Sequence, residues 1–170
     1  YNTTNGSTPT KNSNKYEKPF TITENTTVKA IAIKEGLEDS KAISEKYTVK
    51  LTPPEITPKS QVFESEKNAT ITISSTTPDG KIYYTTDGST PTEKSNLYTK
   101  PFNISENTTV KAIVVKENCE NSEPAMEKYS VTVATPKITP ESQIFESTID
   151  AKITISCDTP NATIYYTTDG

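Results

Sequence analysis

The chain repeats itself. Displaced by about 82 residues, residues 1–88 fall on residues 83–170 without a gap and agree at about 54 of 88 positions. Tyr83-Tyr84-Thr85-Thr86-Asp87-Gly88 returns as Tyr165-Tyr166-Thr167-Thr168-Asp169-Gly170, and the variant Tyr1-Asn2-Thr3-Thr4-Asn5-Gly6 opens the chain. Asn25-Thr26-Thr27-Val28-Lys29-Ala30-Ile31 returns as Asn107-Thr108-Thr109-Val110-Lys111-Ala112-Ile113. The period exceeds the ~20–50 residues of solenoid repeats and suits a small β-sandwich of about 100 residues. Each unit is therefore expected to be a domain with its own core. One active site needs no second scaffold, whereas a chain that reaches, spaces or binds many times gains from copies. The repeat points to a modular, non-catalytic protein.

Strand signals fill the repeat. Ala69-Thr70-Ile71-Thr72-Ile73-Ser74 alternates apolar and polar, so Ala69, Ile71 and Ile73 share one face, as Ile153 and Ile155 do in the next copy. Lys81-Ile82-Tyr83-Tyr84-Thr85 is β-branched and aromatic and runs into Asp87-Gly88, a strong turn signal. Residues 108–116 put Val110, Ala112 and Val114 inward, with Ile113 and Val115 making the other face unusually apolar. Tyr129-Ser130-Val131-Thr132-Val133 closes the unit. No stretch shows a 3.6-residue apolar period of helix length, so the expected fold is all-β: tandem immunoglobulin-like β-sandwich domains.

Composition is compatible with thin cores. Only 31% of residues are hydrophobic, against a usual ~45–50% that includes Gly, yet they are strongly patterned. The net charge of -4 mixes Lys and Glu with no basic block, which disfavours nucleic acid, a partner that demands clustered positive charge. No run approaches the ~18 apolar residues of a membrane span, so none is expected in this segment.

Boundaries are expected where prolines cluster, around Pro53, Pro54 and Pro58 and again around Pro136 and Pro140. Proline cannot donate into a sheet and stiffens extended backbone, so these stretches read as short semi-rigid joints entering an edge strand. The divisions are residues 1–51, the C-terminal part of a first repeat; 52–134, a complete repeat; and 135–170, the N-terminal part of a third. The chain reads as a window from a longer array. The two partial copies together hold close to one repeat, and each alone exposes half a core and an open sheet edge. Arbitrary truncation explains that; so does head-to-tail self-association, in which the tail of one chain completes the head of the next.

The run Ile82-Tyr83-Tyr84-Thr85-Thr86-Asp87-Gly88-Ser89-Thr90-Pro91-Thr92, followed by Tyr98, Pro101-Phe102 and Thr108-Thr109-Val110-Lys111-Ala112, resembles the chitobiase/β-hexosaminidase C-terminal domain family. The resemblance covers nearly the whole chain as one complete and two partial copies. Departures are small: Asn5 stands at the turn Asp, and Asn118 stands where Gly36 sits. The family implies an immunoglobulin-like or fibronectin type III-like sandwich, an accessory module of secreted or cell-surface bacterial proteins without catalytic residues of its own.

Catalysis finds little support. There is no His, the commonest general base. A glycosidase needs two carboxylates on one cleft, and nothing marks Asp87, Glu106 or Glu117 (Asn5, Glu24 and Glu35 in the first copy) as paired. Asp87 reads instead as the Asp of an Asp-Gly turn, where Asn serves equally. The Asp87-Gly88-Ser89 turn is oxygen-rich, but calcium wants six to eight oxygens, so no metal or other cofactor is expected. Cys119 and Cys157 occupy non-equivalent repeat positions, Leu37 and Ser75 being their counterparts, so a repeated disulfide framework is not expected; they read as unpaired small hydrophobes, with a bridge between neighbouring domains or chains as the alternative.

Polysaccharide is the sharper candidate partner. Sugars stack on flat aromatic faces, and Tyr83 and Tyr98 are the residues to test; the bland alternative is sandwich tyrosines with locally satisfied hydroxyls. Trp is absent, and Tyr84 shares a face with Ile82, so one of the adjacent tyrosines belongs to the core. Asn-x-Ser/Thr acceptors occur at Asn2, Asn5, Asn25, Asn68, Asn103, Asn107 and Asn161. They mark candidate glycosylation sites or simply an Asn/Thr-rich surface. The expected role is a structural spacer, stalk or fibre segment at a cell surface or outside the cell. The alternatives are a carbohydrate-binding accessory module and a self-assembling filament subunit.

Overall fold

A computed structural model describes residues 1–65, 69–144, 146 and 152–169. It is all-β, with no helix among the described residues. The strands are β1 (Asn2–Thr3), β2 (Thr26–Ala30), β3 (Ile43–Tyr47), β4 (Glu55–Thr57), β5 (Gln61–Glu64), β6 (Thr70–Ser74), β7 (Lys81–Thr85), β8 (Asn96–Leu97), β9 (Phe102–Asn103), β10 (Thr108–Val115), β11 (Ala125–Thr132), β12 (Lys137–Thr139) and β13 (Thr154–Ser156).

The middle of the chain is a two-layer sandwich. One layer is ordered β5-β11-β10-β7-β8 and the other β4-β6-β9. β10 is the centre of the larger layer, antiparallel to β7 and to β11, while β5 lies parallel to the outer side of β11. The alternation in β6 works as expected: Ala69, Ile71 and Ile73 are buried, and Thr70, Thr72 and Ser74 are exposed. They meet Val110 and Ala112 from β10, together with Ile56, Phe63, Ile104 and Tyr129. Fully burying one such aliphatic side chain contributes about 1.5–3 kcal/mol, so a handful of these positions decides whether the layers stay together. Tyr84 closes one side of the core, stacked on Phe102 (ring centroids 4.7 Å apart) and edge-on to Tyr98 (6.1 Å).

Two details differ from a reading of propensity. β11 begins at Ala125, four residues before the alternating run, because Met126, Glu127 and Lys128 pair with Lys111, Val110 and Thr109 of β10. Pairing across the sheet overrides the weak strand preference of those residues. At its other end, Val133 lies outside the strand and is exposed. The proline-rich stretch enters a strand at the end of its sheet among the described residues: Pro54 is buried, and β4 pairs with β6.

The flanking parts are smaller. β1, β2 and β3 form one antiparallel sheet in which β2 and β3 keep the register of β10 and β11, Thr26 facing Tyr47 as Thr108 faces Tyr129. β12 and β13 pair antiparallel, Ile138 opposite Ile155.

The first copy meets the sandwich through backbone. Leu51 N donates to Glu120 O (3.0 Å), Glu120 N donates to Val49 O (2.8 Å), and Asn25 N donates to Asn118 O (2.7 Å). Lys50 and Glu120 thus form a parallel bridge, and Leu51 is buried in it. The Lys50 ammonium adds a 2.7 Å contact to Glu123, each partner stabilising the other's charge, so the Lys50 pKa rises and the Glu123 pKa falls. Asn118 Nδ2 donates to Glu24 (3.2 Å).

Candidate functional site

Beside that joint lies a cleft of about 680 Å³. β7 contributes Tyr83 and Lys81, the end of β10 contributes Val115, and the loop after it contributes Glu117, Asn118 and Asn121. The pleat explains Tyr83: one residue before the core-facing Tyr84, it must project from the opposite face. It is half-buried there and stands across the strand from Ile113 on one side and Leu97 on the other. The apolar second face of β10 is buried as well, with Val115 on the cleft wall. Glu24 reaches in from the first copy, and Asp79 and Glu93 bring the carboxylates to four, against Lys81 and Lys116. One half-buried aromatic ring, two amides and fixed charges of both signs can hydrogen-bond and stack on a polyol.

Tyr98 belongs elsewhere. It packs against the core beside Tyr84, on the opposite side of the layer, so the two candidate tyrosines do not form one platform.

The turn at Asp87 has its own explanation. Ser89 N (2.9 Å) and Ser89 Oγ (2.6 Å) both donate to one Asp87 oxygen, and they hold its carboxyl below the usual range. Ser7 makes the same two bonds to Asn5 Oδ1, at 3.1 and 2.7 Å. A side-chain oxygen is all the turn requires, so Asp and Asn interchange. Gly6 and Gly88 follow with φ of 76° and 80°, in the region that favours glycine, with Thr27 and Thr109 close by.

The repeated acceptor asparagines are structural clasps. Asn107 Oδ1 accepts from Val131 N (3.0 Å), and Asn25 Oδ1 accepts from Val49 N (2.8 Å), tying the entry of one strand to the exit of its neighbour. Asn103 Oδ1 accepts from Thr70 Oγ1, Asn161 occupies an exposed left-handed turn (φ 58°), and Asn2 is buried. Asn68 lies outside the described residues. Both cysteines are free; Cys119 Sγ lies 3.6 Å from Thr23 O in the joint, and Cys157 Sγ lies 3.1 Å from Ala134 O.

The joint extends beyond the proline cluster of residues 53–58. The loop of residues 118–123 and Asn25 carry as much of it, and the trace in the sequence is a departure from the repeat. Lys50 stands where the next copy has Thr132, and its partner Glu123 stands where the first copy has Lys41. Two exceptions to a repeat that ion-pair with each other signal a contact between copies.

Residues 58–127 match the chitobiase/β-hexosaminidase C-terminal domain family, and residues 1–47 match the fibronectin type III-associated (Fn3 associated) family. No curated protein matches the chain.

Proposed function

Because residues 58–127 match the chitobiase/β-hexosaminidase C-terminal domain family, we propose that the chain is a stretch of an extracellular, non-catalytic spacer in which copies of one sandwich are coupled end to end. The observation that carries this is the backbone joint. Three main-chain hydrogen bonds and the buried Leu51 fix one copy on the next, a small-scale β-augmentation that leaves little freedom between domains. Successive copies then add length at a set angle, and copy number sets reach. Among the described residues no helix is long and apolar enough to cross a membrane.

Small-angle scattering of the chain tests it. One narrow distribution of interdomain distances is expected, and Leu51→Pro, which removes the donor to Glu120, broadens it. An unmodified chain already as broad as its Leu51→Pro variant overturns the spacer proposal.

The cleft beside the joint favours a second reading, a carbohydrate-binding module. Tyr83 would be the stacking ring, with Asn118 and Asn121 as hydrogen-bonding partners. The chain is then retained on an insoluble polysaccharide such as chitin or peptidoglycan, and Tyr83→Ala loses most of that retention while Tyr98→Phe keeps it. Equal recovery of wild type and Tyr83→Ala rules this site out.

A further inference from the structure

The chain enters the middle sandwich near Leu51 and leaves it near Ala134, and one pair of strands lies across any pull between those points. β5 follows the entry and β11 ends at the exit, and the two run parallel. Gln61 pairs with Tyr129, Val62 with Ser130, Phe63 with Val131 and Glu64 with Thr132. Tension along the chain draws β5 backwards from its first residue and β11 forwards from its last. Parallel strands pulled in this way slide along each other, so every bond between them is strained at once. In an antiparallel pair the entry and exit would lie at one end, and the bonds would open singly.

Both ends of the pair are fastened. At the entry Pro58 O accepts from the Tyr129 hydroxyl, and Ser60 N (2.8 Å) and Ser60 Oγ (2.5 Å) both donate to Glu127 Oε2. Ser60 Oγ also accepts from Lys128 N (2.9 Å), and the Lys59 ammonium lies 3.6 Å from the other Glu127 oxygen. At the far end Ser65 N donates to Thr132 O (3.0 Å), and Thr132 Oγ1 donates to Phe63 O (3.4 Å). Phe63 is a buried core residue with its ring beside that of Tyr129. A slip of one residue would turn Phe63 to the other face of the sheet, so sliding also costs core burial. β4 lies upstream with three pairings to β6. Once β4 is drawn off, the load comes to rest on Pro58 and Ser60.

We propose that the middle sandwich is a tension-bearing element, in which the parallel β5–β11 pair and the clasp of Ser60 on Glu127 form a shear clamp against pull along the chain.

This goes beyond the spacer proposal. A spacer needs length and a set angle between copies, and a chain can have both yet come apart under a weak pull.

Single-molecule force spectroscopy of the whole chain, in a Cys119→Ser, Cys157→Ser background, tests it. Forced unfolding reads the unfolding barrier, so the direction of pull can change the force while stability stays the same. Handles at the two chain ends load the clamp in shear. A handle at Glu64→Cys, an exposed position on β5, used with the C-terminal handle opens the same pair from one end. In both geometries the middle sandwich is recognised by the release of roughly 200–250 Å of chain. The end-to-end pull is expected to need at least about twice the force of the Glu64 pull. Ser60→Ala combined with Glu127→Ala removes the clasp and lowers the end-to-end force by about a third or more. It leaves the Glu64 force unchanged, because opening there starts at the other end of β5, and that unchanged force shows that the variant is folded. Equal forces in the two directions overturn the proposal. So does a clasp variant whose end-to-end force equals that of the chain with Ser60 and Glu127 intact.

Discussion

Ile71→Ala is expected to remove about 3–4 kcal/mol from the middle sandwich. Ile71 is wholly buried, on the strand that holds β4 on one side and β9 on the other. Truncation therefore leaves a void that backbone pairing on both flanks keeps from collapsing. A domain of this size holds only about 4–12 kcal/mol in total, so the loss is a large share of it. It appears as a fall of about 15–25 °C in the melting temperature followed by circular dichroism. The repeat supplies the control. Ile153 occupies the same position in the third copy but is exposed, and Ile153→Ala in dilute, monomeric chain changes stability by no more than about 0.5 kcal/mol. Equal effects at the two positions would show that the middle core is not where the structure places it.

The second large effect is at Tyr129. Its hydroxyl donates to Pro58 O at 2.5 Å, joining β11 to the start of the smaller layer, and its ring lies 5.7 Å from that of Phe63. Tyr129→Phe keeps the ring and strands the carbonyl, at a cost of about 1–3 kcal/mol. The pH dependence identifies the hydroxyl. Burial, with a smaller contribution from the Glu127 charge, pushes the phenol up to about 12 from an ordinary 10. The folded state therefore holds a proton that the unfolded chain has lost. Tyr129 stabilises the fold fully below pH 10, and that contribution is lost as pH rises through 10 towards 12. Lys50 and Lys137, raised by Glu123 and Asp158, lose their contributions in the same alkaline range. The comparison that counts is wild type minus Tyr129→Phe: the difference shrinks from pH 9 to pH 12. A difference independent of pH would mean that the hydroxyl ionises as freely in the fold as outside it. Glu127 stays charged throughout, its carboxylate bound by Ser60 and its pKa held low.

What the sequence revealed of the fold follows from which forces are local. Ala69, Ile71 and Ile73 announce their strand because alternation is a local signature, and the Asp-Gly turn announces the end of β7. The start of β11 at Ala125 is set by its neighbour, and β5, parallel to β11 with Phe63 opposite Val131, depends on a partner some seventy residues away. Neither leaves a local mark. The candidate site divides the same way. The pleat separates Tyr83 from Tyr84, but only the fold shows that Tyr98 crosses to the core side and that Glu24 of the preceding copy reaches the cleft. Asn25 and Asn107 were conspicuous as glycan acceptors; their bonds to Val49 and Val131 give the repeat a structural reason to keep them.

The joint has a genetic corollary. Its two faces, the loop of residues 118–123 and the segment homologous to residues 49–51, both lie within one period, so a duplicated stretch of DNA carries a socket and a plug together. Because the linking bonds are main-chain, a new copy inherits its coupling before any side chain adapts.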